Sequence, residues 1–267
     1  MSRLSTRLLH SNKGSSLLSM PLNKQDLLAR PDEHINPTAS LSYWASTSPD
    51  INGMLGGFPQ LSHIDLRGSA AFLAKLRRLD RLSATTTPHA SRLCRSVDCG
   101  AGIGRVTLGF LAKVSEVVDL VEPVERFVAE VTRGDTFAEL RAEGRLGEVY
   151  VMGLEDFVPG EARYDLIWNQ WCVGHLKDEQ LVAYLRRCAK GLSADGKGWV
   201  VVKENTTTAG EDLFDELDSS VTRTDGSFRR IFEHAGMVVV RSELQTGFPK
   251  GLGLYPVRLY ALRPTGT

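Results

Sequence analysis

Asp98-Cys99-Gly100-Ala101-Gly102-Ile103-Gly104-Arg105 is the stretch from which the rest of this chain is read. Leu93 to Asp98 before it has the composition of a short strand, and Val106, Phe110 and Leu111 after it mark a helix. Glycines between a strand and a helix let the backbone turn sharply and come close to a ligand without a Cβ in the way. The spacing is G-x-G-x-G rather than the G-x-G-x-x-G of dinucleotide binders.

Outward from the loop, strand and helix patterns alternate. Glu116 to Glu122 (EVVDLVE) reads as the second strand. A polar helix around Glu125 to Ala142 and a third strand, Glu148 to Met152, follow. Tyr164 to Gln170 reads as a central strand. Asp178 is placed to cap a helix carrying Leu181, Leu185 and Cys188, stopped by Gly191. Trp199 to Lys203 is a buried strand, Ser227 to Ala235 a helix closed by Gly236, and Met237 to Leu244 and Val257 to Leu262 two final strands. Upstream, Ser69 is placed to cap a helix with Phe72, Leu73, Leu76 and Leu79 at helical spacing. Strands separated by helices imply an α/β fold with a mostly parallel sheet and helices on both faces. The expectation is a Rossmann-like sheet of about seven strands with a C-terminal antiparallel hairpin and an N-terminal helical extension, ligands lying at the carboxyl ends of the strands.

The chain has 267 residues, with 42% hydrophobic and 24% charged, which suits a single domain with a substantial core. We place a flexible tail at 1–40 and one domain at 41–267, divided into an N-terminal cap (41–82) and a core (93–267), with order beginning near Tyr43. The tail, rich in Ser, Arg and Leu and without an acid before Asp26, has the composition of a disordered segment; organelle targeting is its sharper reading. Otherwise the expected location is cytoplasmic or nuclear. Lys plus Arg is 32 and Asp plus Glu is 32, so no basic surplus argues for a nucleic-acid partner. No apolar run approaches the roughly 20 residues of a bilayer span, so no membrane partner is expected. Cys94, Cys99, Cys172 and Cys188 show no metal-ligand spacing and read as reduced thiols. Gly191-Leu-Ser-Ala-Asp-Gly-Lys-Gly198 nearly matches a phosphate loop, but it ends in Gly and joins a helix to a strand, so it reads as a turn.

Three further clusters could carry chemistry. Trp168-Asn169-Gln170-Trp171 closes the central strand, with Gly174-His175 after it; Trp168, on the alternate face, reads as core packing. His175, either a helix-entry histidine or a proton acceptor, would titrate near 6.5 if unperturbed. Lys203-Glu204-Asn205 closes the fifth strand. Asp212, Asp215 and Asp218-Ser219-Ser220 crowd acids into one segment. If helical, it would set Asp215 and Asp218 on one face, either as solvated surface or as a pocket for a cation.

Strand, D-x-G-x-G-x-G, helix, and a strand ending in Glu122 resemble the first two motifs of class I S-adenosylmethionine-dependent methyltransferases. In that resemblance Glu122 would accept the ribose hydroxyls and Arg105 would pair with the carboxylate of the cofactor's amino-acid tail. Further stretches narrow it. Tyr43-Trp44, Gly53-Met54-Leu55-Gly56-Gly57, Gly153-Leu154-Glu155-Asp156-Phe157, WNQW with GHL, Lys203-Glu204-Asn205, LDSSVTR over Leu217 to Arg223, and Ala261-Leu262-Arg263 are similar, in order, to the protein N-terminal (alpha-N-) methyltransferases.

That resemblance implies methyl transfer from S-adenosylmethionine to the α-amine of proteins beginning X-Pro-Lys, by an enzyme expected to be a monomer and to need no metal. By position, Gly100, Gly102, Arg105, Glu122, Pro123, Val124, Leu154, Glu155, Gln170 and Trp44 would contact the cofactor. Trp171 would stack on the substrate's proline, with Tyr43, Asp215, Ser220 and Tyr255 around the peptide. Asn205, Asp218 and His175 would surround the amine. An α-amine with pKa of about 7.7 to 8.0 must lose a proton before it attacks, and Asp218 and His175 are the candidates to take it. Glu122 stands where Asp is common, and the stretches near Thr85 and Phe248 look longer than usual. The alternatives are a small-molecule methyltransferase on the same fold and a cofactor-binding module whose chemistry has lapsed.

Overall fold

The Leu93–Cys99 strand, β1, ends where the glycines begin, and the sheet grows from it in both directions. In this computed structural model, which describes residues 30–83 and 92–266, β2 (Ser115–Val121) and β3 (Leu146–Tyr150) lie parallel on one side of β1. On the other side β4 (Leu166–Gln170) and β5 (Trp199–Thr207) are also parallel. The seven strands expected from sequence are completed by β8 (Met237–Leu244) and β9 (Val257–Pro264), an antiparallel pair with β9 against β5.

Two strands were not anticipated. β6 (Leu213–Asp215) and β7 (Ser220–Thr224) form a tight antiparallel hairpin, and β7 runs parallel to the last residues of β5. Among the described residues the sheet therefore carries nine strands. The acid-rich segment read as a possible helix is this hairpin, turned through Ser219 at φ 55°. Asp215 and Asp218 consequently sit on a strand end and in a turn, not on one helical face.

Helices cover both faces. Before β1 lie α1 (Pro37–Ser46), α2 (Ile51–Met54) and α3 (Ser62–Ser83), with a 3-10 turn at Pro31–His34. Residues 31–40, assigned to the tail from sequence, are thus structured. Pro37 at the first helical position and the Asn36 side chain, which accepts from Ala39 N–H, start α1. The targeting and disorder readings fall on residues outside those described (1–29), as does the stretch near Thr85. Ser69 is an interior residue of α3, not its cap; its hydroxyl donates to the Asp65 carbonyl one turn back.

Past the glycines the chain takes a π-helical turn at Thr107–Leu111 and a short α4 (Ala112–Val114). The single helix expected over 125–142 is broken at Gly134 into α5 (Glu125–Arg133) and α6 (Ala138–Ala142). In α7 (Asp178–Gly191) Lys177 rather than Asp178 holds the N-cap position, its backbone N–H donating to Gln180 Oε1 at 2.9 Å, and α8 (Asp225–His234) is capped by the Thr224 hydroxyl.

Alternation along β4 separates the two cores. Ile167 joins Leu181, Leu185 and Phe232 beneath α7 and α8. Leu166 and Trp168 join Phe72, Leu76 and Phe110 on the opposite face. Trp168 is fully buried with its ring edge-on to Phe110 at 4.9 Å, the packing role expected of it. β4 and β5 are buried throughout and β1 and β2 over their last four residues, which leaves the carboxyl ends of these strands as a rim for ligands. Among the described residues no helix is long and apolar enough to cross a membrane.

Candidate functional site

The carboxyl ends of β1, β2 and β4 open into a cavity of about 320 Å³, roofed by α1 and α2. Its floor is the glycine loop. Gly100 and Gly102 take φ of 65° and 56°, a region that L side chains rarely adopt. A Cβ on Gly100 would collide with Cys172 Cβ, and one on Gly102 would lie 2.6 Å from Met54 Sδ. Neither position therefore has room for a side chain.

Glu122 follows β2 and is buried at the cavity edge. Its two carboxylate oxygens accept from Gly102 N–H at 2.7 Å and Val124 N–H at 2.8 Å. Burial pushes its carboxyl up to about 7, against those two hydrogen bonds. Asp98 at the end of β1 is also pushed up, to about 6, by burial; Thr107 Oγ1 donates to it at 2.6 Å.

Arg105 reaches the same cavity with one nitrogen committed. Its Nη1 donates to Asp65 of α3 at 2.8 Å, while Nη2 is buried without a partner. A buried guanidinium N–H with nothing to accept it is costly unless a ligand supplies the acceptor. A carboxylate is the fitting partner. With a carboxylate at the strand end and glycine backbone between, these residues fit the amino-acid tail and ribose of S-adenosylmethionine.

A second, much smaller pocket lies next to this one, lined by Trp171, Gly174, His175, Glu204, Asn205, Ser220, Val221 and Thr222. Trp171 and His175 line both cavities. Trp171 sits just past β4 at φ 56°, a strained conformation for an aromatic residue. Its indole N–H donates to Asn205 Oδ1 at 3.1 Å, and its ring packs among Leu55, Val257 and Phe248. Asp218, fully buried, lines neither cavity and touches the smaller one through Ser220. Oδ1 accepts from the Ser220 hydroxyl at 2.7 Å and Oδ2 is buried with no partner. Burial raises its carboxyl above the usual range. Among the described residues no group of His, Cys, Asp and Glu is arranged to hold a metal ion.

Residues 32–263 match the family described as AdoMet dependent proline di-methyltransferase. The chain belongs to that family. It is 41% identical to the Schizosaccharomyces pombe alpha N-terminal protein methyltransferase 1 over 84% of this chain and 94% of that protein. It is 37% identical to the Xenopus laevis N-terminal Xaa-Pro-Lys N-methyltransferase 1-A over 83% of this chain and 92% of the relative. Among solved structures it superposes on a SAM-dependent methyltransferase from Leishmania major with a TM-score of 0.73 at 30% identity, over 90% of this chain and 89% of that one.

Set against this AdoMet-dependent family, the structure gathers all ten residues expected at the cofactor. Gly100, Gly102, Arg105, Glu122, Pro123, Val124, Leu154, Glu155, Gln170 and Trp44 line the larger cavity. Asn205 and Ser220 line the smaller one with Trp171 and His175. Tyr43 packs its ring edge-on against Trp44 at 5.2 Å and lines neither cavity. Asp215 and Tyr255 also lie outside both, half-buried at the β6–β7 hairpin and in the loop before β9.

His175 is not arranged as a proton acceptor. The Trp44 indole can only donate, so the bond from its Nε1 at 3.2 Å occupies the His175 Nε2 lone pair. In the neutral ring Nδ1 then carries the proton, directed at Ser40 Oγ 2.9 Å away. Burial drives the imidazole down to about 3. Nor is it a simple helix-entry residue, because it fastens α1 to the strand rim.

Sequence reasoning named Trp44 of α1 but missed the turns before it, where Thr38, Ser40 and Leu41 also line the cofactor cavity. Asp65 was missed too. A lone acid in an amphipathic helix carries no local mark of burial.

Proposed function

We propose that this enzyme methylates the α-amino group of proteins whose exposed N-terminus reads Xaa-Pro-Lys. The shared wall of the two cavities carries the reading: Trp171 and His175 border both the cofactor-sized space and the pocket holding Asn205 and Ser220. Direct transfer requires the amine and the sulfonium methyl to meet in one continuous space, and cavities bordered by the same two side chains lie close enough for that. The names of the Xenopus and S. pombe relatives support the same acceptor.

S-adenosylmethionine supplies a methyl group bonded to a cationic sulfur. The chain's part is to hold and deprotonate the nucleophile. Asn205, whose Oδ1 is taken by Trp171, has its amide N–H groups left for the peptide. Asp218 Oδ2 is the acceptor for the amine proton, since the competing imidazole has both nitrogens engaged. The Asp218-Ser219-Ser220 turn is tied to the roof, because Ser219 Oγ accepts from Asn36 N–H at 2.8 Å just before α1. Asp215 and Tyr255, outside the two pockets, would meet the peptide beyond its first residues.

A Pro-Pro-Lys peptide and labelled cofactor give the direct test. Label should enter the free peptide and not its N-terminally acetylated form. Equal labelling of both would refute α-amine specificity.

A further inference from the structure

Behind Arg105 lies a buried polar cluster that the reaction itself does not use. Asp65 Oδ2 accepts from Arg105 Nη1 at 2.8 Å and from Gln170 Nε2 at 2.8 Å. The Lys203 ammonium donates to Asp65 Oδ1, to the Asp65 carbonyl at 3.0 Å and to Ser69 Oγ at 2.9 Å. Asp65, Ser69 and Lys203 are wholly buried, and α3, the glycine-loop helix, β4 and β5 each contribute a member.

We infer that Asp65 is a positioning residue that sets Arg105 for the carboxylate of the cofactor's amino-acid tail. The inference rests on the cofactor reading of the larger cavity. Within this hydrogen-bonded group two cations face one carboxylate. Lys203 spends all three of its donors inside the group, so the donor left over is Arg105 Nη2, which borders the cavity. Asp98, the other carboxylate near Arg105, is committed to Thr107. Burial alone would raise the Asp65 carboxyl, but Lys203 and Arg105 beside it hold it below its ordinary value, so it stays an anion. The short bond from Nη1 to Asp65, beside a longer one from the same nitrogen to Ser62 Oγ at 3.4 Å, removes the rotational freedom that a long side chain would otherwise lose on binding. The same oxygen fixes the Gln170 amide, whose Oε1 accepts from Trp168.

Two effects of Asp65 have opposite signs. By charge alone it repels a nearby carboxylate, so its removal would tighten tail binding. By positioning, its removal frees Arg105 and weakens it. Calorimetry on the full chain separates them, using S-adenosylhomocysteine and methylthioadenosine, which has the nucleoside and thioether but no amino-acid tail. For Asp65→Asn we expect about tenfold weaker binding of S-adenosylhomocysteine. Methylthioadenosine should change by no more than about twofold. Equal loss for both ligands, no loss for either, or tighter binding of S-adenosylhomocysteine would each overturn the assignment. Should Asp65→Asn fail to fold with Lys203 stranded, the double variant Asp65→Asn/Lys203→Met removes that cation and should show the same selectivity. On an Arg105→Met background, Asp65→Asn should cost nothing further. Wild-type chain that does not bind S-adenosylhomocysteine would instead remove the cofactor reading beneath the inference.

Discussion

Glu122 and Asp218 are both buried carboxylates whose pKa lies above the ordinary range, yet their neighbours differ. Each Glu122 oxygen already receives a backbone N–H, from Gly102 or Val124. Asp218 receives one hydroxyl, from Ser220, and keeps a bare oxygen. The same contrast runs through the two halves of the cleft. On the cofactor side charges are locked in place, Arg105 and Lys203 by Asp65. On the acceptor side the atom in reserve is an acceptor, Asp218 Oδ2, whereas the reserve on the cofactor side is a donor, Arg105 Nη2. A site that binds needs fixed acceptors; a site that takes up a proton needs an unsatisfied one.

The sharpest way to break the comparison is at Asp218. Asp218→Asn keeps the shape and the hydroxyl contact but cannot take up the proton. Turnover on a Pro-Pro-Lys peptide should fall by about a hundredfold or more, the usual loss of a general base. Affinity for S-adenosylhomocysteine should stay as it is in wild type, read by calorimetry. Equal damage to both would mean that Asp218 supports the fold rather than the chemistry.

At Glu122 the expected effect is smaller and lies in binding. In the free chain its carboxyl is pushed up to about 7, and a ribose hydroxyl donates best to the ionised form. Below that pH the carboxylate must lose its proton as the ligand binds. Affinity for S-adenosylhomocysteine should therefore rise with pH up to about 7 and level off above it. Calorimetry in buffers of different ionisation enthalpy should detect proton release on the acid side alone. A flat profile from pH 5.5 to 8 would separate Glu122 from the ribose.

The cofactor half was the more legible in sequence for a physical reason. Its loop, the strand before it and the carboxylate after β2 are local features, each fixed by residues within one strand-loop-helix unit. The acceptor half is assembled across the chain. Ser40 and Trp44 of α1 meet His175, 135 and 131 residues away. Asn36 meets Ser219 across 183. The i and i+3 spacing of Asp215 and Asp218 puts them on one face only if the segment is helical. The strand pattern Ser220-Val221-Thr222 beside β5 won instead, buried along its length. Family resemblance supplied Asp218, Asn205 and Ser220, whereas the engagement of both His175 nitrogens and the anchoring role of Asp65 depend on partners that only folding brings near.

Trp44→Phe tests the fastening role of His175 with the mildest change. It removes one indole N–H, releases the His175 Nε2 lone pair and leaves an aromatic ring over the cavity. Losing one hydrogen bond of ordinary strength should lower kcat by about threefold. The informative quantity is the acid limb of the pH–rate profile. If Asp218 takes the proton, that limb belongs to a carboxyl raised by burial, falls as pH drops, and keeps its midpoint in the variant. If the freed imidazole took over, relief of its constraint would move the midpoint and could raise the rate. A fixed midpoint with a slightly lower plateau is the outcome expected of a histidine that fastens α1, because such a residue holds the roof in place without exchanging a proton with the substrate.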